Sequence, residues 1–473
     1  MRQPLCEQKK GGKMDSEKSK NKLMTGGFWA FIGKFSTSFM SLAINAILAR
    51  YLSPGDLGVY FIAFNLAMIS AYFGVLGLEQ TTLKYVADNM GKKAYANVIY
   101  MVKFAFLSSL IGAVIVGAFY YFGAHFILKD AFQSIGLYSI ILPLIGWITA
   151  HIFQILLGET FRGFQDIRSA SLFGGVISTF IFLAAFFISS SYMQVEMTLS
   201  VVLTLWIGSI MFSSAIGLFV LLKKLYAINK MKVDHDKRAL QSRIILSTSI
   251  PFLVVGVSIA FHYQIDLWIV QYIGNQEDVA LYGVAAKLTT IIGIPLMIVN
   301  AVVTPMISEH FAQGKLKDIE SMLRFTGTLS TIAAGGCVLL FILFGGPILS
   351  ILFGSFYGNA ALLLILLSLR QMVVVWNGVC STIMAMAGQE KFFMKFIIIS
   401  TVISAFVALG LGYFWGINGV AIGFLLVNVF SQIYLWYRLK KALNIRADAD
   451  FIGTLEIAKQ LISKRKESRK AVS

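Results

Sequence analysis

Long apolar runs alternate with short polar segments along most of this chain. A helix of roughly 20 apolar residues is long enough to cross a bilayer, and twelve such windows occur. The pattern therefore predicts an all-α polytopic membrane protein. The predicted spans are 25–48, 57–78, 97–121, 137–158, 170–190, 199–222, 244–273, 279–305, 322–345, 360–387, 396–412 and 416–437.

The polar segment at 223–243 divides the spans into two sets of six. We therefore predict an N-terminal six-helix lobe at 25–222, an inter-lobe loop at 223–243 and a C-terminal six-helix lobe at 244–437. Basic tails at 1–24 and 438–473 flank the lobes. An amphipathic pattern after residue 450 fits a helix lying on anionic lipid, and a solvated tail is the alternative.

Weak internal similarity supports this division. Residues 47–60 resemble residues 268–282 if one residue is inserted, so that Tyr51 matches Tyr272. Two further short matches, beginning at Gly91 and at Gly163, recur at nearly the same offset in the second half. These repeats predict two pseudo-symmetric lobes related by an axis along the membrane normal.

Composition excludes a soluble protein. Of the 473 residues, 57% are hydrophobic and 13% are charged, and the mean hydropathy is +0.77. The net charge of +17 does not indicate nucleic-acid binding, because 34 of the 40 Lys and Arg residues fall on one side of the predicted spans. The positive-inside rule then places both termini in the cytoplasm of a multi-pass cell-membrane protein.

Four cations interrupt predicted spans: Lys34, Lys103, Lys287 and Arg370. A charge at bilayer depth costs several kcal/mol unless it faces a polar cavity or finds a partner. Four charges of one sign therefore predict a central cationic cavity that binds an anion. Lys103 lies closest to the inner end of its span, where a snorkelling side chain is the alternative.

Two spans carry a cation and an amide on one helical face. Lys34 and Asn45 are eleven residues apart in the first span, and Arg370 and Asn377 are seven apart in the tenth. At about 100° per residue both spacings return to nearly the same face. We expect both helices to line the same polar cavity.

The seventh span carries His262 and Asp266, four residues apart on one face. Two ionisable groups at that spacing are candidates for an ion-coupling site that binds a proton or another cation. The alternative is that Asp266 neutralises Lys287 on the next helix. The residues alone leave both readings open.

Sequence motifs for catalysis and cofactor binding are lacking. The chain has no GxxxxGK[ST] or HExxH motif, and its three cysteines and five histidines form no ligand-spaced cluster. The predicted outer loops are too short for an extracytoplasmic catalytic domain. We therefore expect no enzymatic activity, no cofactor and no metal site.

Two sequence segments point to a family. The stretch from Ala49 to Tyr60, ARYLSPGDLGVY, resembles the opening signature of polysaccharide flippases of the multidrug/oligosaccharidyl-lipid/polysaccharide superfamily. The stretch from Leu281 to Lys287, LYGVAAK, is similar to that family as well. The resemblance covers essentially the whole membrane region.

The resemblance implies a flippase that moves polyprenyl-diphosphate-linked oligosaccharide from the inner to the outer leaflet during cell-surface polysaccharide biosynthesis. In the family, basic residues of the first, second, seventh and eighth helices are thought to meet the diphosphate, and Lys34, Arg50 and Lys287 occupy similar places. The seventh span departs from this pattern, because no Lys or Arg follows Arg243 in it. The predicted substrate-binding residues are Lys34, Asn45, Arg50, Lys103, Lys287, Arg370 and Asn377.

Three other functions compete with this reading. A drug or toxin exporter of the same superfamily would share the fold, but such exporters favour membrane carboxylates, and Asp266 is the only clear acid in a span. A membrane enzyme would need catalytic carboxylates or a sizeable outer loop. A partner of glycan polymerase or assembly proteins would tolerate loss of the cations, whereas a transporter would not.

Overall fold

The computed structural model describes residues 33, 35–124, 135–230, 240–313, 315–386 and 388–451. Regular structure in these ranges is entirely helical, which confirms the predicted all-α class. Lys34 lies outside the described residues, as does nearly all of the predicted lipid-surface helix after residue 450.

Fifteen α-helices follow one another in the described chain. Helix α1 covers 35–51. The others are α2 (Pro54–Val75), α3 (Leu78–Gly91), α4 (Tyr95–Ala124), α5 (Ile135–Ser139), α6 (Ile141–Gly163), α7 (Ile167–Ser171), α8 (Ile177–Phe187), α9 (Leu199–Asn229), α10 (Ser242–Ile273), α11 (Gln276–Ala312), α12 (Glu320–Phe353), α13 (Ala361–Trp376), α14 (Cys380–Met386) and α15 (Glu390–Leu443). Short π and 3₁₀ turns join some of them.

Ten helical segments of the described chain are long and apolar enough to cross a membrane. One of them, in α15, leaves helical geometry at Trp415 and Gly416 and so contains two predicted spans. This division gives eleven of the twelve predicted spans, and α1 overlaps the remaining one, 25–48.

The chain forms two compact units. Unit 1 comprises 1–41, 67–124 and 140–257, and unit 2 comprises 42–66 and 125–139 together with everything from residue 258 onward. Each unit therefore contains a piece from the opposite half of the sequence. The C-terminal part of α1 and the start of α2 belong to unit 2, whereas the first half of α10 belongs to unit 1.

The starts of α2 and α11 share one capping arrangement. Ser53 Oγ accepts a hydrogen bond from the backbone N–H of Asp56 at 3.1 Å, and Asn275 Oδ1 accepts one from the backbone N–H of Asp278 at 3.0 Å. Both caps satisfy N–H groups that have no partner within the helix. The two caps fall at equivalent positions of the internal repeat predicted from the sequence.

A backbone break separates α2 from α3. Leu76 and Gly77 are both left-handed, with φ of 59° and 71°. A side chain at Gly77 would collide with the backbone oxygen of Ser249 on α10, so glycine is required here both for its φ and for the close approach. The predicted span 57–78 ends at this break, and the helical chain continues through Gly91.

The predicted tenth span, 360–387, is not one continuous helix. Helix α13 ends at Trp376, and Gly378 has a φ of 60°. A β-carbon at Gly378 would lie 2.6 Å from the Ala447 carbonyl oxygen. The break therefore accommodates a segment of the chain that follows α15.

That segment, residues 444–450, is called the strap. It begins at left-handed Asn444, which ends α15, and it runs back along α12. Arg324 Nη1 pairs with Asp450 Oδ2 at 2.9 Å, and the Asp450 backbone N–H donates to Thr328 Oγ1 at 2.6 Å. Trp436 Nε1 donates to Asp448 Oδ1 at 2.8 Å. These bonds fix the strap to both α12 and α15.

Candidate functional site

An ion pair inside unit 2 joins α10 to α13. Arg370 Nη1 donates to Asp266 Oδ2 at 3.2 Å, and the two side chains are only 19% and 13% exposed. The other carboxylate oxygen, Asp266 Oδ1, accepts a hydrogen bond from the Leu267 backbone N–H at 2.9 Å. Both carboxylate oxygens of Asp266 therefore accept a hydrogen bond.

Aromatic side chains surround this pair. The Arg370 guanidinium lies 5.0 Å from the centre of the Phe424 ring on α15. Tyr282 on α11 is completely buried, and its hydroxyl interacts electrostatically with both Asp266 and Arg370. A guanidinium stacked on an aromatic ring keeps its edge free to donate hydrogen bonds.

Lys287 supplies the second cation of unit 2. Its Nζ lies 4.4 Å from the centre of the Phe64 ring on α2, and the side chain is half-buried. Asp266 attracts it electrostatically, but Lys287 forms no ion pair with any described residue. Asp266 thus pairs with Arg370, and the direct Lys287 pair considered from the sequence is not formed.

His262 lies in the same unit, one turn before Asp266 on α10. Its Nδ1 is 2.6 Å from Thr401 Oγ1 of α15. Thr401 Oγ1 in turn donates to the Ile397 carbonyl oxygen at 2.8 Å. A hydroxyl has one proton, so His262 Nδ1 carries the hydrogen when Thr401 donates to the carbonyl.

We call Asp266, Lys287 and Arg370 the charge cluster. With one carboxylate and two cations, it carries a formal charge of +1 when His262 is neutral. Within the chain that the structure describes, no group of three or more His, Cys, Asp or Glu side chains could hold a metal ion. The geometry suits a ligand with negatively charged oxygens, since guanidinium and ammonium groups both bind such oxygens through charge-assisted hydrogen bonds.

Arg50 is engaged away from the charge cluster. Its Nε donates to the Leu352 carbonyl oxygen at 3.1 Å, and its Nη2 donates to the Ile351 carbonyl oxygen. These carbonyls belong to the last turn of α12, where helical partners are missing. Arg50 thus joins the end of α1 to the end of α12.

The two predicted amides are both buried, at 1% and 2% exposure for Asn377 and Asn45. Asn377 ends α13, and its Nδ2 donates to Gln432 Oε1 of α15 at 2.6 Å. It therefore holds the break after α13 against α15.

Among the remaining predicted cations, the described one, Lys103, is not part of the charge cluster. Lys103 belongs to unit 1 and its side chain is exposed on α4. Lys34 lies outside the described residues. Of the predicted residues, the structure brings together Lys287, Arg370, Asp266 and His262.

Sequence reasoning missed the aromatic residues of the site. Phe64 and Phe424 were not singled out, because an aromatic residue in a membrane span is most often a core or lipid-facing side chain. Tyr282 lay within the LYGVAAK motif, five residues before Lys287. A hydroxyl in an otherwise apolar stretch next to a span cation was the available signal.

The chain matches two protein families. The family described as "Polysaccharide biosynthesis protein" matches residues 23–311, and the family described as MatE matches residues 251–409. No curated protein is similar enough in sequence to match this chain.

Several solved structures share the fold. An inward-facing multidrug resistance MATE family transporter of the MOP superfamily has a TM-score of 0.72 at 15% identity, covering 88% of this chain and 98% of its own. An outward-facing one gives 0.63 at 16% identity, covering 90% and 96%. A MOP superfamily transporter from Pyrococcus furiosus gives 0.61 at 15% identity with the same coverage.

At these identities the structural likeness establishes the fold, and the sequence match establishes the family. The first family match extends over more than half of the chain, and it includes both the ARYLSPGDLGVY stretch and Lys287. The chain belongs to the polysaccharide biosynthesis protein family.

Proposed function

We propose that this protein is a flippase that moves polyprenyl-diphosphate-linked oligosaccharide from the cytoplasmic to the outer leaflet of the cell membrane. The charge cluster of unit 2 carries this proposal. It provides a net positive site on membrane-length helices, which is the requirement for an anionic head group. The family description supports a glycan as the cargo.

Lys287 is the residue through which the diphosphate binds first. Its ammonium makes no ion pair among the described residues and rests on the Phe64 ring. A diphosphate oxygen that reaches Lys287 therefore gains a charge-assisted hydrogen bond without displacing a carboxylate. Such bonds to charged groups contribute about 1.5 to 3 kcal/mol.

Arg370 binds the diphosphate in competition with Asp266. Its single described hydrogen bond to Asp266 is 3.2 Å long, which is long for a charge-assisted bond. A diphosphate offers two or more oxygens to the guanidinium fork, whereas Asp266 accepts from Arg370 through one. Asp266 therefore serves as an internal anion that keeps Arg370 oriented until the substrate arrives.

Alternating access moves the head group across the membrane. Within unit 2, the end of α1 and the start of α2 pack against α12 and α11. Arg50 donates a hydrogen bond to the end of α12. Gly58 lies against the backbone of Gln276 with no space for a side chain. With both termini in the cytoplasm, these contacts close the outer side. Release of the head group requires them to separate.

The membrane potential drives the cycle in this proposal. A diphosphate with about two negative charges gains roughly 4 to 5 kcal/mol on moving outward across an inside-negative potential of about 100 mV. His262 and Asp266 are then not needed as coupling residues. A proton or sodium coupling role for that pair is the competing mechanism, and collapsing each gradient separately distinguishes the two.

Export of drugs is the second candidate function. The MatE match at residues 251–409 and the multidrug transporters among the structural neighbours favour it. Organic cations, however, would meet a positively charged cluster. Under this alternative, deletion of the gene raises drug sensitivity and leaves cell-surface glycan unchanged.

Reconstituted vesicles provide the test. Purified protein is combined with a fluorescent polyprenyl-diphosphate sugar, and the labelled head group that reaches the opposite leaflet is measured by accessibility to a membrane-impermeant quencher. We expect flipping that accelerates with an imposed potential. A fluorescent organic cation is the matched competitor, and its transport in place of the lipid diphosphate would overturn the proposal.

A further inference from the structure

Unit 1 contains a buried acid that the proposed transport cycle does not use. Glu79 lies in the first turn of α3 and is only 4% exposed. In the sequence, Glu79 falls in the polar segment between the predicted spans 57–78 and 97–121. Helix α3 is not among the segments long enough to cross a membrane. Its burial inside helical packing therefore needs a separate explanation.

The carboxyl group of Glu79 has no partner for its second oxygen. Oε2 is buried and accepts no hydrogen bond, and no ion pair involves Glu79 among the described residues. A buried carboxylate that has no cation and whose second oxygen has no donor is destabilising, whereas the neutral acid is tolerated. The environment therefore selects the protonated form.

A second oxygen without a partner lies on the same helical face. Thr82 follows Glu79 by three residues, is completely buried, and its Oγ1 makes no hydrogen bond. Residues three apart on a helix are neighbours. A hydroxyl next to the acid can exchange hydrogen bonds with a protonated carboxyl group as well as with a carboxylate.

Among the described residues, the groups that face Glu79 include no cation that pairs with it. On α2, Tyr72 lies next to it, since a β-carbon at Gly256 of α10 would lie 3.1 Å from the Tyr72 ring and 3.5 Å from Glu79 Oε1. On α6, Glu159 repels it and is itself paired with Arg162 at 2.6 Å. On α4, the only span cation is the exposed Lys103.

Burial raises the pKa of Glu79 to about 7; its own backbone N–H lowers the pKa, and the negative charge of Glu159 raises it further. The acid also lies two residues after the left-handed Leu76 and Gly77. Loss of the proton would place a charge directly beside this strained break in the helix, where the backbone has the fewest helical hydrogen bonds to lose.

We propose that Glu79 is a proton-binding site of unit 1, separate from the charge cluster. Its ligand is a single proton exchanged with the aqueous phase, and the neighbouring Thr82 supplies a hydroxyl on the same helical face. Bound, the proton allows α3 to pack against α6 and α10. Released, the carboxylate favours access to water and loosens the helix at the Leu76–Gly77 break.

Infrared spectroscopy of the full chain in lipid tests this site independently of transport. The spectrum is recorded from about pH 5 to about pH 9 in H₂O and D₂O, and the carbonyl stretch of protonated carboxylic acid is followed. We expect a component that disappears with a midpoint near neutrality. It should be absent from Glu79→Gln and retained in Asp88→Asn, because Asp88 lies on the same helix but is exposed and paired with Lys92 at 2.7 Å.

A second variant keeps the test decisive if Glu79→Gln fails to fold. Glu159→Gln removes the repelling charge on α6 and should move the midpoint to lower pH, because the Glu79 carboxylate becomes easier to form. An unchanged spectrum in Glu79→Gln would mean that Glu79 stays ionised and would overturn the proposal. Loss of the component on adding sodium at constant pH would also overturn it, since the site would then bind a metal cation.

Discussion

Two acids shielded from water in this protein, one partly and one almost completely, have opposite surroundings. Asp266 in unit 2 has an arginine and a backbone N–H as donors, whereas Glu79 in unit 1 has an oxygen with no partner and a neighbouring acid. Asp266 lies within α10, and Glu79 lies on α3, which packs against α10. The difference shows that burial alone does not assign a role to a carboxylate, because the donors and charges around two acids can differ where both are shielded from water.

Removing Arg370, the partner of Asp266, should have the largest effect on stability and flipping. Arg370→Ala leaves a buried carboxylate without its cation, and breaking such a pair costs about 3 to 5 kcal/mol. We expect low yield, reduced thermal stability in detergent and no flipping. Arg370→Ala combined with Asp266→Asn should recover thermal stability without recovering flipping. Normal stability of the single variant would show that the pair has no structural role.

Replacing Glu79 by glutamine should raise the stability of the protein above neutral pH, whereas Arg370→Ala lowers it. The folded-state pKa of Glu79 is raised from 4.5 to about 7, so the stability it provides is full below about pH 4.5 and is lost as pH rises through about 7. That shift corresponds to at most about 3 kcal/mol.

Thermal unfolding in detergent measures this difference between about pH 5 and about pH 8. We expect Glu79→Gln to lose less stability over the range than the wild-type protein does. Asp88→Asn is the control on the same helix and should follow the wild-type profile. Parallel profiles for wild type and Glu79→Gln would contradict a proton on Glu79.

Substitution of Lys287 tests whether a cation of the charge cluster binds the substrate. Because it forms no ion pair among the described residues, Lys287→Ala leaves no carboxylate without a contact partner. We expect normal thermal stability but affinity for lipid diphosphate lowered about 10- to 100-fold, the equivalent of one charge-assisted hydrogen bond. Lys103→Ala is the exposed control and should bind normally. Equal binding by both variants would remove Lys287 from the site.

Arg50 gives the smallest expected effect. Its two bonds to the end of α12 contribute about 1 kcal/mol in a solvent-exposed setting. Arg50→Ala should leave lipid-diphosphate affinity unchanged and alter the flipping rate, because a closing contact is lost and a ligand contact is not. A fall in affinity comparable to that of Lys287→Ala would return Arg50 to the substrate site, as the family resemblance implies.

Hydropathy and charge were sufficient to predict the fold class and the span cations. The all-α class follows because lipid requires each backbone group to bond within its own helix. The internal repeat was also physically meaningful, since both copies carry the caps at Ser53 and Asn275. Sequence patterns identified Asp266 for the same reason, as an acid in a span is conspicuous.

The partners of these residues could not be predicted. Arg370 lies 104 positions from Asp266 in the chain, and the helix that follows Asp266 offered Lys287 as a nearer partner. Helix packing decided between two cations of equal charge. The break at Gly378 depends on a distant segment, the strap. No local sequence pattern therefore predicted that α13 would end just before Asn377.

Glu79 was missed because the span boundary was drawn by hydropathy. The window ended at residue 78, and the polar composition of residues 79–96 suggested a loop. A helical signal was nevertheless present, since Leu78, Thr82, Val86 and Asn89 are three or four residues apart and all are buried. The helical spacing of these residues, considered together with polarity, predicts a buried face next to Glu79.

The strap has a consequence for how the protein is made. Residues 444–450 bind α12 and α15, and unit 2 also contains residues 42–66, which leave the ribosome nearly four hundred residues earlier. Domains generally form from the N-terminus during synthesis, but unit 2 has to wait for both ends. Its early segment must therefore remain in the membrane without its final neighbours until translation has passed the strap.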